Sequence, residues 1–275
     1  MNLSERLARV GLELKSRPED VALVRSVLAA LVDAGAIDPA LSTDLKTAVS
    51  EACNNVVLHA YGDDLSGRML VTIELGPSSI DVTVRDHGRG IRQLAVGEDR
   101  MGLGLAVMTA LASRTEFSTP HDGGTEVRIA FELDPSDGSH PPALSVTELP
   151  YDPVDALDGN IVVHVSPAGL VGPVVGRLAR AAAANAGFSI ARFRDLFAIA
   201  EAIAEHANRA ADGSVSFAIR GSRRSLDLIA GPFNHLPDGA EGFVGLVDGV
   251  GFETDGDREL LHLTLIDNAA RNPAG

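Results

Sequence analysis

Residues 44–61 read DLKTAVSEACNNVVLHAY, and this stretch decides how the chain is read. Leu45, Ala48, Val49, Ala52 and Val56 recur at helical spacing and make one apolar stripe. Asp38-Pro39 upstream supplies an N-cap and a first-turn proline, and Gly62 supplies a stop, so the spacing predicts a helix over about 39–61. On it Glu51, Asn55 and His59 lie four residues apart and share one face beside the stripe. A carboxylate and an amide one turn apart, next to a core, are costly to bury without partners. A ligand carrying metal and phosphate would supply those partners. On the helix alone, the same residues also fit the edge of a solvated face.

Composition narrows the classes. A chain of 275 residues suggests about two domains. With 45% hydrophobic residues and no tryptophan, its core must be built from Val, Leu, Ile and Ala. A formal charge of −15 argues against nucleic-acid and anionic-membrane partners. The single cysteine, Cys53, excludes an internal disulfide and a Cys-rich zinc site. The start MNLSERLARV lacks the apolar run of a signal peptide, and no apolar segment is long enough to span a bilayer. The expectation is a soluble, cytoplasmic protein.

Working outward from the organising helix, Val10, Leu12 and Leu14 alternate as a first strand. Ser16-Arg17-Pro18-Glu19 has the form of a capping box, and a helix follows through Leu31 to Gly35. Residues 68–75 and 80–85 read as a hairpin around Gly76-Pro77-Ser78-Ser79. Residues 86–103 are glycine-rich, Leu105–Leu111 is a short helix, and 115–119 and 125–133 are two more strands. The expected fold is α+β, a two-layer α/β sandwich with a mostly antiparallel sheet and helices on one face. Residues 134–159, rich in Pro, Asp and Ser, read as a linker.

The plan then repeats. Strand 161–165, helices over about 168–186 and 190–211, and hairpins 215–230 and 250–266 follow the same order. The segment from Asp195 lies without gaps on the segment from Asp44, with few identities. The expectation is therefore one domain over 1–133, a linker over 134–159 and a degenerate second copy over 160–275.

Four motifs carry chemistry. Glu51 and Asn55 form E-x-x-x-N on the helix. Asp86-His87-Gly88-Arg89-Gly90-Ile91 leaves a strand as D-x-G-x-G, where a carboxylate can accept from an exocyclic amine and glycines admit a ring. Met101-Gly102-Leu103-Gly104-Leu105 stands at a predicted helix start, where free N–H groups favour phosphate. Gly124-Thr125-Glu126-Val127 opens the last strand. Each motif alone is weak; the ordered set is specific.

In that order the set resembles the Bergerat-fold ATPases, the GHKL-type superfamily of gyrase, MutL and histidine-kinase ATP-binding domains. SEACNNVVLHAY looks most like the anti-sigma-factor serine kinases, whose helix typically reads SEA-x-x-NA-x-x-HAY; Val56 departs from the usual Ala. The resemblance covers about 8–133. It implies ATP and Mg²⁺ as cofactors, with Glu51 as general base toward a substrate serine and Asn55 as the magnesium ligand. It implies Asp86 at the adenine amine, Gly88, Gly90 and Ile91 shaping the pocket, and Thr125 at the adenine edge. Residues 92–103 would form a lid, with Gly102, Leu103 and Gly104 at the phosphates. His59 and Tyr61 would pack and support.

On the gap-free overlay Glu51 falls on Ala202 and Asn55 on His206, and Gly231-Pro232-Phe233 stands where D-x-G-x-G would be. The second half is expected to keep the scaffold and bind no ATP. The implied function is an ATP-dependent protein serine kinase that sequesters a sigma factor and phosphorylates an anti-sigma-factor antagonist protein. The alternative is an ATP-gated protein-binding regulator without transfer. The family works as homodimers, so the second half would stand in for a partner subunit as an internal pseudo-dimer.

Overall fold

In a computed structural model, residues 8–62, 67–90, 99–133, 159–211, 213–235, 242–255 and 258–268 are described. The chain divides into two units, Met1–Ser145 and Val146–Gly275. The first runs β1 (Ala8–Lys15), α1 (Pro18–Asp33), α2 (Ser42–Asn55), β2 (Arg68–Leu75), β3 (Ser79–Asp86), α3 (Asp99–Leu111), β4 (Arg114–Ser118) and β5 (Glu126–Glu132).

The strands lie in the order β4-β5-β3-β2-β1, and every ladder between them is antiparallel. The register aligns Leu12, Val71, Val84 and Val127 across four strands, and Val10, Ile73, Val82 and Ile129 two residues along. Side chains alternate across a strand, so these rows share one face, and all are buried. The helices cover that face. Val24, Val27, Leu28 and Leu31 of α1 and Leu45, Ala48, Val49 and Ala52 of α2 are all 1% exposed or less, so the predicted stripes are the core. The other face carries ion pairs such as Arg9–Glu74, as a solvated antiparallel sheet does. The expected two-layer α+β architecture is present.

Local starts and stops differ in detail. The capping box at Ser16–Glu19 does not form. Arg17, extended at φ −132°, is the N-cap without a side-chain bond, because Pro18 takes the first helical position. Ser16 is thereby pushed one residue outside the helix, and its Oγ has no hydrogen-bond partner. Asp38 does cap, accepting from Ala40 N–H at 2.7 Å, but it caps a 3₁₀ turn, Pro39–Leu41, that leads into α2. After Asn55 the helix widens into a π turn, Val56–Ala60, and Gly62 at φ +63° ends it.

The second unit runs β6 (Ile161–Ser166), α4 (Val171–Asn185), α5 (Ile190–Ala210), β7 (Val215–Ser222), β8 (Ser225–Phe233), β9 (Gly249–Asp255) and β10 (Arg258–Ile266). Its strands lie in the order β6-β7-β8-β10-β9 and pair antiparallel. Numbered within each unit, both sheets read 1-2-3-5-4. α4 and α5 approach closely: a methyl on Gly172 or Gly176 would sit 3.3 Å from Ala204 or Ala200. Residues 134–158 of the expected linker lie outside the described residues. No described helix is long and apolar enough to cross a membrane.

Candidate functional site

The apolar stripe of α2 faces the sheet, which turns Glu51 and Asn55 toward α3. Gly104 of α3 is buried there: a methyl on it would come 3.0 Å from Glu51 Oε2 and 3.8 Å from Asn55 Oδ1. Glycine is thus the residue that lets α3 close on these two polar groups. The structure brings Glu51, Asn55 and Gly104 together.

The glycine motif sits differently from its sequence reading. Helix α3 begins at Asp99, so Gly102 and Gly104 lie inside it rather than ahead of it. The N–H of Gly104 therefore belongs to the helical ladder, whereas that of Gly102 falls among the first four donors. Each helical glycine costs roughly 1 kcal/mol against alanine; at Gly104 packing against α2 offsets it. Leu103, on the outer side, is 69% exposed. Ile91 and segment 92–98 of the expected lid lie outside the described residues.

Asp86 ends β3 and is 2% exposed. Its Oδ1 accepts from Gly88 N–H at 2.8 Å and from Thr125 N–H at 3.3 Å, while its own N–H donates to Thr125 O at 2.9 Å. Burial raises this carboxyl above the usual range, and the backbone donors of Gly88 and Thr125 partly oppose that. The backbone packs tightly around it. A methyl on Gly124, at φ +79°, would fall 1.9 Å from Asp86 O, and one on Gly88 would fall 2.2 Å from Ala60 O. Arg89 N–H donates to the same Ala60 carbonyl at 2.9 Å. Gly90, at φ +72°, approaches Gly124 O. Asp86, Gly88, Gly90 and Thr125 therefore form one cluster, fastened to the far end of the helix that carries Glu51 and Asn55. Nine residues separate Glu51 from Ala60, roughly 13 Å along a helix.

Three supporting features escape a linear reading. Tyr61 Oη accepts from His87 N–H at 2.9 Å and donates to Arg68 O at 2.6 Å. A methyl on Gly67 would fall 2.3 Å from the Tyr61 ring, so only glycine fits beneath it. Arg85 pairs with Asp122, and His87 Nε2 lies 3.5 Å from the same carboxylate, tying the 120–124 turn to the Asp86 loop. Tyr61 had a signal in the HAY ending and Gly124 in the motif that opens the last strand; Gly67 and Asp122 meet their partners only through sheet pairing. His59 is exposed and joins neither cluster.

In the second unit the corresponding positions lack this chemistry. The hairpin ladders end at Met69↔Asp86 in one unit and at Ser216↔Gly231 in the other, so Gly231 occupies the pairing position of Asp86. His206 is 3% exposed, its Nε2 2.9 Å from His235 O and its ring edge-on to Phe233 at 4.7 Å. Burial lowers its proton affinity, as expected of a core histidine.

Residues 14–131 match the family model of the histidine kinase-like ATPase domain. The anti-sigma F factor of Pasteuria penetrans is 32% identical over 141 residues, which are 46% of this chain and 93% of that protein. The anti-sigma F factor of Bacillus subtilis is 25% identical over 137 residues, 46% of this chain and 92% of that protein. A crystal structure of the RsbU and RsbW domains of a Mycobacterium tuberculosis protein overlaps 51% of this chain and 34% of that one at 25% identity. Its TM-score of 0.37 is too low to bear on the fold. With 32% identity over the 141 residues aligned to a relative that it spans almost end to end, this chain belongs, through its first unit, to the anti-sigma-factor branch of the histidine kinase-like ATPases.

Proposed function

We propose that the chain is an ATP-dependent anti-sigma factor that binds a sigma factor and phosphorylates a serine of an antagonist protein. One observation carries this reading: Glu51 and Asn55 face Gly104 from the C-terminal half of α2, and the π turn that follows Asn55 anchors the Asp86–Gly88–Thr125 cluster. Its relatives are anti-sigma F factors, which supports the same reading.

The residues suit a nucleotide. The Asp86 carboxyl, buried and held by two backbone donors, would accept from an adenine amine, and Gly88 and Gly90 let the backbone pack closely around it. Among the described residues no group of three or more His, Cys, Asp or Glu could hold a metal by itself. Mg²⁺ that arrives on phosphates keeps its waters and takes one or two protein oxygens. Asn55 Oδ1 would be such a ligand. Bound Mg²⁺–ATP supplies the phosphoryl group and neutralises its charge during transfer. Glu51 takes the proton from the attacking serine hydroxyl.

A second reading, an ATP-gated binder without transfer, draws on the closeness of α3 to Glu51 Oε2. Glu51→Ala separates the two. If transfer of labelled γ-phosphate to the antagonist is lost while sigma-factor binding persists, the kinase reading stands. If no transfer occurs in the wild-type protein with any serine-bearing antagonist, the binder reading replaces it.

The second unit is, in this proposal, a degenerate duplicate that binds no ATP and takes the place of a second subunit. The shared 1-2-3-5-4 strand order supports it. A homodimer by light scattering would overturn the pseudo-dimer.

A further inference from the structure

Among the exposed residues of α5, Ile190, Arg194, Phe197, Glu201 and Glu205 lie at the spacing of a single helix face. Its first half is unusual. Ile190 is 89% exposed and Phe197 54% exposed. Single exposed apolar residues are ordinary, but an aliphatic and an aromatic side chain two turns apart on one face make a patch. Arg180 of α4 reaches this patch, its guanidinium carbon 5.9 Å from the Phe197 ring centroid. Arg194 stands one turn before Phe197. Helix α4 holds two arginines, Arg177 and Arg180, and no acidic residue, in a chain of net charge −15.

Two other arginines of this unit are matched. Arg192 pairs with Asp195 and Asp248, and Arg209 with Glu205. Arg180 and Arg194 make no ion pair among the described residues. Two unmatched guanidinium groups beside exposed apolar side chains are the composition of a binding hot spot, where Arg and aromatic residues are enriched.

We infer that the α4–α5 face of the second unit docks an acidic, apolar segment of a partner protein. Its carboxylates meet Arg180 and Arg194, and its aliphatic side chains cover Ile190 and Phe197. Glu201 and Glu205, further along the stripe, repel such a segment and limit it to the first half of α5. A polyphosphate would meet the two arginines but leave Ile190 and Phe197 uncovered. A second copy of the chain brings the same arginines to a two-fold interface and the same negative excess.

The test uses the full chain and a fluorescein-labelled synthetic peptide of about 16 residues built from Glu, Asp and Leu, followed by anisotropy. A control peptide carries Lys in place of every acid. The acidic peptide should bind, more weakly at high salt as screened charges require. Arg180→Glu with Arg194→Glu should weaken binding at least about tenfold, and Phe197→Ala should weaken it at either salt concentration. These side chains are at the surface, so circular dichroism should show unchanged folding. No binding, equal binding of the Lys peptide, or equal binding by the charge-reversed variant overturns the inference. Tighter binding of labelled single-stranded DNA reassigns the face to nucleic acid. A doubled mass in ultracentrifugation that Phe197→Asp halves reassigns it to self-association. Either result also overturns the inference.

Discussion

Laid without gaps, α2 and α5 bury matching residues: Leu45 with Leu196, Ala48 with Ile199, Val49 with Ala200, Ala52 with Ile203, and Val56 with Ala207. Their polar rims diverge. Asn55, half-buried and facing Gly104, is matched by His206, which is buried against Phe233. Asp86 is matched by Gly231 in the hairpin ladder. Where α3 closes on α2, the second unit has the 242–246 turn, tied to α5 through Arg192, which donates to Leu246 O and pairs with Asp248. The difference teaches that the fold resides in the stripes, where each large-to-small change costs roughly 2–5 kcal/mol. The rim can be exchanged without changing the strand order, because it contributes little to the core.

The sharpest way to break this comparison is at Glu51. Glu51→Gln keeps the size and removes the base. Serine phosphorylation should fall about 10²–10⁴-fold with nucleotide binding unchanged, as read by γ-phosphate transfer and by nucleotide titration. A variant that transfers at the wild-type rate would leave both units equally without a base.

Asp20 tests a buried charge that the second unit lacks at the start of α4, whose first turn carries no acid. Asp20 is 6% exposed, and burial lifts its carboxyl from 3.8 to about 6, with Arg17 opposing. A carboxyl that holds its proton more tightly when folded favours the folded state below pH 3.8. That contribution is lost as pH rises through about 6, amounting to about 3 kcal/mol. Asp20→Asn should therefore stabilise the protein relative to wild type at pH 8 and change little at pH 4, measured by urea unfolding. Equal effects at both pH values would contradict it.

Asp86→Asn sharpens the contrast with Gly231. Asn retains an acceptor for Gly88 and Thr125 but offers a donor where adenine's amine would donate. Nucleotide affinity should drop about 10–100-fold, the worth of one charged hydrogen bond. The smallest effect is expected at His206→Asn, which puts the residue type of Asn55 at the matching position of the second unit. It should confer no nucleotide binding, since Gly231 cannot hold adenine, and should cost roughly 1–2 kcal/mol through the lost His235 bond and Phe233 contact. Nucleotide binding by that variant, read on a chain already carrying Asp86→Asn, would undo the contrast.

Much of the fold was legible because periodicity is local. The stripes of α1, α2 and α5 and the alternation of β2 and β3 each sit within a dozen or so residues. Glu51, Asn55 and Asp86 stood out in the sequence because they are polar residues beside an apolar stripe or at the end of a buried strand. The capping box at Ser16 misled because Pro18 competes for the same turn, and α3 starts ahead of the glycine motif because packing against Glu51 at Gly104 offsets glycine's poor helix propensity. Gly67 had no sequence signal, and Gly124 had one only as the first residue of the motif that opens the last strand: their partners, Tyr61 and Asp86, are met only through strand pairing.

The chain by itself determined which segments are helix or strand and which polar residues sit beside apolar stripes, since both follow from spacing along the backbone. Only the tertiary structure decided that Gly104 lies against Glu51, that Asp86 draws two backbone donors, and that both sheets share one strand order. Those are contacts between residues far apart in sequence, set by pairing register and close packing, and no local period encodes them.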